Sequence, residues 1–390
     1  MKRFLAVLTA LTLVFSSALV ASAQEQQKQM KIVVTTFPLY DWVRNILGDR
    51  LAQTDLTLLQ DTGVDLHNYQ PTAADFVKLT DADVFVYVGG ESDAWVADAI
   101  KTAQNRRLLS VSLVDVLGGL VKNELVVEGM QEGAHAHDHE EADHDYAEAA
   151  DADHAHEEAG HEEAADMEHD HEHEEAGHDH EEAADMDHDH EHEEADHDHE
   201  HEHEHEGHGH EHGEPDEHVW LSLRNAQAAV SFLKDILAAL DETNAPVYEA
   251  NAQAYIEKLK ALDAEYTQTL SKKQNPVLLF ADRFPFRYLM DDYGIGYYAA
   301  FSGCSAETEA SFSTVAFLAG KLDELSLPSV MTIDGSDQKV AKTVMEASKA
   351  KNQKLLVLNS MQTITRADID AGADYLDIMR QNLEVLNQAL

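Results

Sequence analysis

The chain has 390 residues, with 75 Asp and Glu against 27 Lys and Arg, 25 His, a single Cys and a formal net charge of -48. That balance excludes nucleic-acid binding through a basic face, because phosphate would be repelled, and one Cys excludes a disulfide scaffold. The charge is uneven: no Lys or Arg stands between Lys122 and Arg224, and 23 of the His fall between Gly133 and Pro215, so a mildly acidic globular chain carries an inserted polyelectrolyte.

In chain order, Lys2-Arg3, an apolar run over 4–20 and Ala21-Ser22-Ala23 before Gln24 have the order of a cleaved secretory signal over 1–23. No Cys stands at the cleavage point to take a lipid anchor, so the expected address is the periplasm or the exterior. The β-branched run 31–36 predicts a strand, and 41–47 a helix. Strand 54–59 follows, then a polar loop over 60–70, a helix opened by Pro71 to about Leu79, strand 84–88 closed by Gly89-Gly90, helix 95–102 and strand 108–111. After the insertion, helical spacing over 223–240 leads to a second helix from Pro246 to about Leu270, roughly 37 Å long at 1.5 Å per residue. The alternation then resumes: strand 277–281, helix 286–293, strand 296–300, helix 312–325, strand 330–333, helix 338–350, strand 355–358 and a closing helix from Ile369 to about Gln388. The fold class is α/β, two doubly wound lobes over 30–240 and 275–390, joined by a long rigid helix at 244–272, with the ligand expected at the strand carboxyl ends.

The insertion at 133–215 is almost wholly His, Glu, Asp, Ala and Gly, and it repeats: HEEAADM begins at His161 and His180, and HDHEHEEA at His169 and His188. So little apolar surface cannot offset chain entropy, and like charges repel, so the segment is expected to be disordered without metal. Imidazole binds zinc, nickel and copper, and nearby carboxylates add attraction and oxygen ligands. The same carboxylates favour imidazolium, so metal uptake should weaken as pH falls. Plain solubility would explain the acids and leave the histidines unexplained.

His67 and His218 are the two His outside the tract. Each alone reads more readily as a surface or satisfied core residue; beside a metal-binding tract the weight shifts to ligands. His67 sits in GVDLHNYQPTAADF, on a loop after a strand and ahead of a Pro-opened helix, and His218 in DEHVWLSL. Those two segments, with TTFPLYDW at Thr35, resemble zinc/manganese-binding solute receptors of ABC importers. Gly63, His67, Tyr69 and Pro71 match one histidine motif and Asp216, His218, Trp220 and Leu221 the other. The likeness runs from Thr35 to the last helix, and zinc-type members carry a His-rich loop at this point. It implies a monomeric, non-catalytic receptor that holds Zn2+ between its lobes and delivers it to a membrane ABC permease, with Mn2+ or Ni2+ as lesser alternatives.

The second lobe departs from that pattern. The family's third His falls on Arg283, and its late Asp on Asn359. A zinc site takes four donors, and the candidates are Asp282, Cys304, Glu307, Glu309 and Asp334, tract His or water. Asp282 and Asp334 rank first, since both end apolar strands; each has a blander reading as a cap or a partner for Arg283, and Cys304 as a small buried residue. The expected metal ligands are therefore His67, His218, Asp282 and Asp334. Two rivals stand beside this reading: a metal buffer acting through the tract, and a metal-dependent hydrolase, against which no HExxH or Gly-x-Ser-x-Gly occurs in the globular part.

Overall fold

The computed structural model describes residues 29–131, 214–305 and 309–390. The signal segment, almost all of the tract and Glu307 lie outside the described residues. No helix among the described residues is long and apolar enough to cross a membrane.

The first sheet holds β1 (Met30–Val34), β2 (Thr54–Leu58), β3 (Val84–Tyr87) and β4 (Leu109–Ser112), all parallel, in the order β2-β1-β3-β4. Its strands are the β-branched runs of the sequence: Ile32, Val33 and Val34 are buried, as parallel strands covered on both faces must be. The helices here are α1 (Phe37–Leu47), α2 (Ala73–Thr80), α3 (Val96–Thr102) and α4 (Leu113–Leu117). Helix α1 begins four residues before its expected start, because Pro38 lies in its first turn, where a missing N–H costs nothing. Helix α2 starts after Pro71 rather than at it: Thr72 and Asp75 cap each other reciprocally.

Two long antiparallel neighbours, α5 (Leu223–Leu240) and α6 (Ala245–Leu270), follow. The second sheet repeats the order of the first, β6-β5-β7-β8, from β5 (Val277–Phe284), β6 (Gly296–Ser302), β7 (Ser329–Ile333) and β8 (Lys354–Leu358). Around it lie α7 (Arg287–Tyr293), α8 (Phe312–Glu324), α9 (Lys339–Ala347), α10 (Arg366–Asp370) and α11 (Tyr375–Ala389). The single closing helix of the sequence reading is thus two, broken at Gly372, whose φ of +99° no L side chain adopts readily. Strand β5 also runs three residues past Ala281, because a register shift between Phe280 and Arg283 lets Arg283 and Phe284 pair with Phe301 and Ser302.

Helix α6 buries Tyr248, Ala252, Tyr255, Leu259, Leu262, Tyr266 and Leu270, one stripe at three- and four-residue spacing. Along that stripe Tyr255 bonds Asp41 of α1 at 3.2 Å, and Tyr266 donates to the Met379 carbonyl of α11 at 2.5 Å, so one rigid rod serves both lobes. A single hydrophobic cluster runs from Ile32 to Leu386 through this helix. Trp220 fastens the lobes at the middle. Its ring is 1% exposed, its Nε1 donates to the Ser360 carbonyl at 2.9 Å, and its own carbonyl accepts from Tyr375 Oη at 2.6 Å.

The residues flanking the tract are also fixed. The Gln131 N–H donates to the Ala300 carbonyl at the edge of β6, while the Glu124 N–H donates to the Glu214 carbonyl and the Asp216 N–H to the Lys122 carbonyl. The root at Gln131 is thus fixed to the edge of the second-lobe sheet, and the root at Glu214 to the segment 122–124.

Removing the Trp220 ring leaves a cavity and an unpaired carbonyl at the seam. Trp220→Ala should lower the unfolding free energy by roughly 3–5 kcal/mol, read as an earlier urea midpoint by circular dichroism; an unchanged midpoint would show that the seam adds no stability.

Candidate metal centre

His67 sits in a 3-10 turn, Leu66–Asn68, that follows β2. Asp65 caps the turn, its Oδ1 accepting the His67 N–H at 3.0 Å. His218 precedes a second such turn, Val219–Leu221, whose three residues are fully buried. Asp216 holds it twice: one carboxylate oxygen accepts both the His218 N–H and its ring Nδ1–H, each at 2.9 Å. The two turns bring the rings together at an interplanar angle of 60°, with Nε2 of His67 3.0 Å from Nε2 of His218. The His67 side chain is 6% exposed and that of His218 not at all.

Asp216 can only accept, so it fixes the proton of neutral His218 on Nδ1 and leaves a lone pair on Nε2. Two ring nitrogens 3.0 Å apart then need one hydrogen between them, since facing lone pairs would repel. The electrostatics divide accordingly. Burial, and then the neighbouring His218, push His67 down to about 3. Burial works against a charged His218 as well, but the hydrogen bond to Asp216 and the charges of Asp216, Glu217 and Asp65 outweigh it and raise its pKa. At neutral pH the pair therefore carries at most one extra proton. Nδ1 of His67 lies 2.7 Å from Ser92 Oγ, and Glu217 Oε2 lies 3.7 Å from the same nitrogen. The Glu217 pKa is raised by burial, and its Oε2 has no hydrogen-bond partner among the described residues.

Three donor side chains meet here. Among the described residues, the group of His, Cys, Asp and Glu able to share one ion is His67, His218 and Cys304, with donor atoms all within 4.8 Å of one another. Cys304 comes from the turn after β6 and is half-buried, and burial raises its thiol pKa far above the usual range.

The structure does not bring Asp282 and Asp334 into this group. Asp334 follows the end of β7 as the apolar run implied, whereas Asp282 falls inside β5, which continues to Phe284; the oxygens of both serve backbone N–H or hydroxyl groups. Asp282 accepts from the Arg283 N–H at 2.9 Å and the Ile333 N–H at 3.4 Å. Asp334 accepts from the Ser360 N–H at 2.5 Å, Ser360 Oγ at 2.7 Å and Thr363 Oγ1 at 2.6 Å. They line a separate cavity of about 330 Å³ with Gly63, Arg283 and Thr363. Glu309 is exposed at the start of the segment before α8.

Arg283, at the position the family gives to a ligand, is paired: its Nη2 meets Asp65 Oδ2 at 2.7 Å. Burial alone would raise Asp65, but the guanidinium holds it below the ordinary carboxylate range. Asn359 closes a turn, its side chain accepting the Met361 N–H. One contributor had no sequence signal. Gln362, 9% exposed, donates its amide N–H groups to both Asp65 oxygens at 2.9 and 2.7 Å once its amide faces them, and its amide oxygen lies 3.1 Å from His218 Nε2, where it accepts a hydrogen bond when that ring is protonated.

The chain matches the family model described as ZnuA, zinc-uptake complex component A, periplasmic, over residues 32–154 and 115–389. It is 28% identical over 386 residues to the zinc-binding protein AdcA of Streptococcus pyogenes serotype M3, covering 99% of this chain and 61% of that protein, so it spans less than two thirds of this curated relative. With the high-affinity zinc uptake system protein ZnuA of Bacillus subtilis it shares 26% identity over 375 residues, 96% of this chain and 92% of the other. The Zn(II)-bound ZnuA-like domain of Streptococcus pneumoniae AdcA has the same fold, with a TM-score of 0.58, 23% identity and coverage of 93% of this chain and 98% of that one. With its match extending across both sheets and both histidine turns, the chain belongs to the ZnuA family of periplasmic zinc-uptake components.

Proposed function

We propose that this protein is an extracytoplasmic zinc receptor that captures Zn2+ between its lobes and presents it to the membrane permease of an ABC importer. The observation that carries this reading is the convergence of two buried imidazoles, 151 residues apart in sequence, at an Nε2 to Nε2 distance of 3.0 Å. A zinc ion with bonds near 2.0–2.1 Å to each nitrogen holds them about 3.3 Å apart in tetrahedral geometry. Replacing the bridging proton by an ion thus asks for only a few tenths of an ångström. The family match and the zinc-binding names of the relatives support zinc as the cargo.

The surroundings suit a buried dication. Neutral imidazole is the ligating form, and burial keeps His67 in it. Asp216 behind His218, and Ser92 with Glu217 behind His67, orient the rings and supply the negative potential that a cation taken out of water requires. Arg283 opposes that potential, but its charge is spent on Asp65. Nothing in the arrangement suggests catalysis; the role is capture and release. The His-rich tract, whose flanking residues Gln131 and Glu214 are both hydrogen-bonded into the folded body, is read as raising the local metal concentration.

Calorimetric zinc titration separates this reading from the buffer alternative. His67→Ala or His218→Ala should weaken the tightest site by about 100-fold or more, close to 2.7 kcal/mol, while multiple weaker sites persist. A tightest site that survives the double substitution would place function in the tract.

Acid supplies a second check. Below the raised pKa of His218 an imidazolium must lose its proton before the ion can bind, whereas His67 stays neutral down to about 3. Zinc affinity, followed by chelator competition, should therefore steepen by about one further released proton per ion as pH falls through that window. A constant slope would mean that His218 is not a ligand.

Deleting residues 133–213 should leave the tight site intact and slow growth of a zinc-dependent host at scarce zinc. Unchanged growth would remove the tract from the uptake role.

A further inference from the structure

We infer that Cys304 is the second lobe's metal ligand, so that the cargo ion is held by two imidazole nitrogens and a thiolate rather than by an all-nitrogen and oxygen set. This rests on the receptor reading of His67 and His218 and specifies what completes their site.

The geometry is built for it. Cys304 Sγ belongs to the one three-donor cluster among the described residues, within 4.8 Å of the histidine nitrogens. Bonds of about 2.0–2.1 Å to nitrogen and 2.3 Å to sulfur keep the donors of a tetrahedral zinc about 3.3–3.6 Å apart, so the thiol must close about 1 Å, within the reach of a χ1 rotation. Its approach depends on Gly303. A Cβ there would stand 2.9 Å from His218 Cε1 and 2.9 Å from the Phe284 carbonyl oxygen, so glycine lets the turn lie directly on the imidazole. The turn is held from the other side by Glu124, whose Oε1 accepts the Cys304 N–H at 3.0 Å.

A second feature points to a cation at the same place. Glu217 is 2% exposed, and its Oε2 is unpartnered among the described residues while lying 3.7 Å from His67 Nδ1. A buried carboxylate oxygen left without a donor is costly, and a dication behind the ring would offset that cost. Asp282 and Asp334, the oxygen donors that could have competed for the role, are committed to backbone and hydroxyl groups.

The chemistry follows from the donor. As the sulfur–metal bond forms, the S–H bond breaks and its proton passes to the adjacent Glu124 carboxylate and on to solvent, and the net +2 of the ion is reduced by one at the site. Thiolate with imidazole selects zinc, cobalt and cadmium, and disfavours manganese, which prefers oxygen.

The single cysteine makes the test selective in the full-length protein, because the tract can supply imidazole, carboxylate and the thioethers of Met167 and Met186 but no thiolate. One equivalent of Co2+ should give an intense near-ultraviolet sulfur-to-cobalt charge-transfer band. Cys304→Ser should abolish it while tight binding that depends on His67 and His218 persists, weakened at least tenfold, and the zinc over manganese preference should fall by at least the same factor. The proposal is overturned if the native protein binds one Co2+ through the two histidines without that band. It is equally overturned if the band survives His67→Ala with His218→Ala, since the sulfur then ligates elsewhere. Tight binding untouched by the histidine substitutions, by contrast, would sink the receptor reading itself.

Discussion

Two ring nitrogens facing each other at 3.0 Å inside a protein are tolerable only with a positive centre between them. In the resting chain that centre is one hydrogen. The remaining features of the crevice follow from keeping this pair in place: Asp65 and Asp216 fix the turns that carry the rings, Ser92 and Asp216 hold their outer nitrogens, and Gln362 touches His218 from the second lobe. On the proposed reading a zinc ion is a stronger version of the same bridge, and its binding replaces a proton rather than rebuilding a site.

The fold supplies this pair with rigid support from two directions. The first sheet delivers His67 through the loop after β2, and the second brings Cys304, Arg283 and Gln362 to the same place. Because α6 bonds to α1 through Tyr255 and to α11 through Tyr266, the lobes share one core and are not free to swing as separate bodies on a flexible linker. On the proposed reading, access for an ion comes from modest movements at the crevice, where Arg283 and Asp65 make one of the cross-lobe contacts.

Much of the fold was legible in the sequence, because β-branched runs and three- to four-residue apolar spacing are consequences of burial, and burial decides these elements. The errors fell where backbone geometry overrides pattern: at Gly372, which splits the last helix, and at the register shift that carries β5 past Ala281. The two histidines stood out as the only His outside the tract and as members of two recognisable motifs, and the structure brings their rings together on turns held by Asp65 and Asp216. Asp334 follows the end of its strand as expected, while β5 runs on past Asp282, and in both cases nearby backbone N–H groups took the carboxylates first. Cys304 stood among several candidates without distinction, since its approach depends on the missing side chain of Gly303, and Gln362 had no signal at all. Pattern reports which residues are buried; it does not report which buried donors remain unspent.

The most direct measurement is anomalous diffraction at the zinc edge from crystals of the zinc-loaded protein. The account requires one anomalous peak bonded to Nε2 of both His67 and His218, with the two nitrogens moved apart from 3.0 Å to about 3.3 Å. Rings still in contact, with the zinc peak elsewhere, would contradict it.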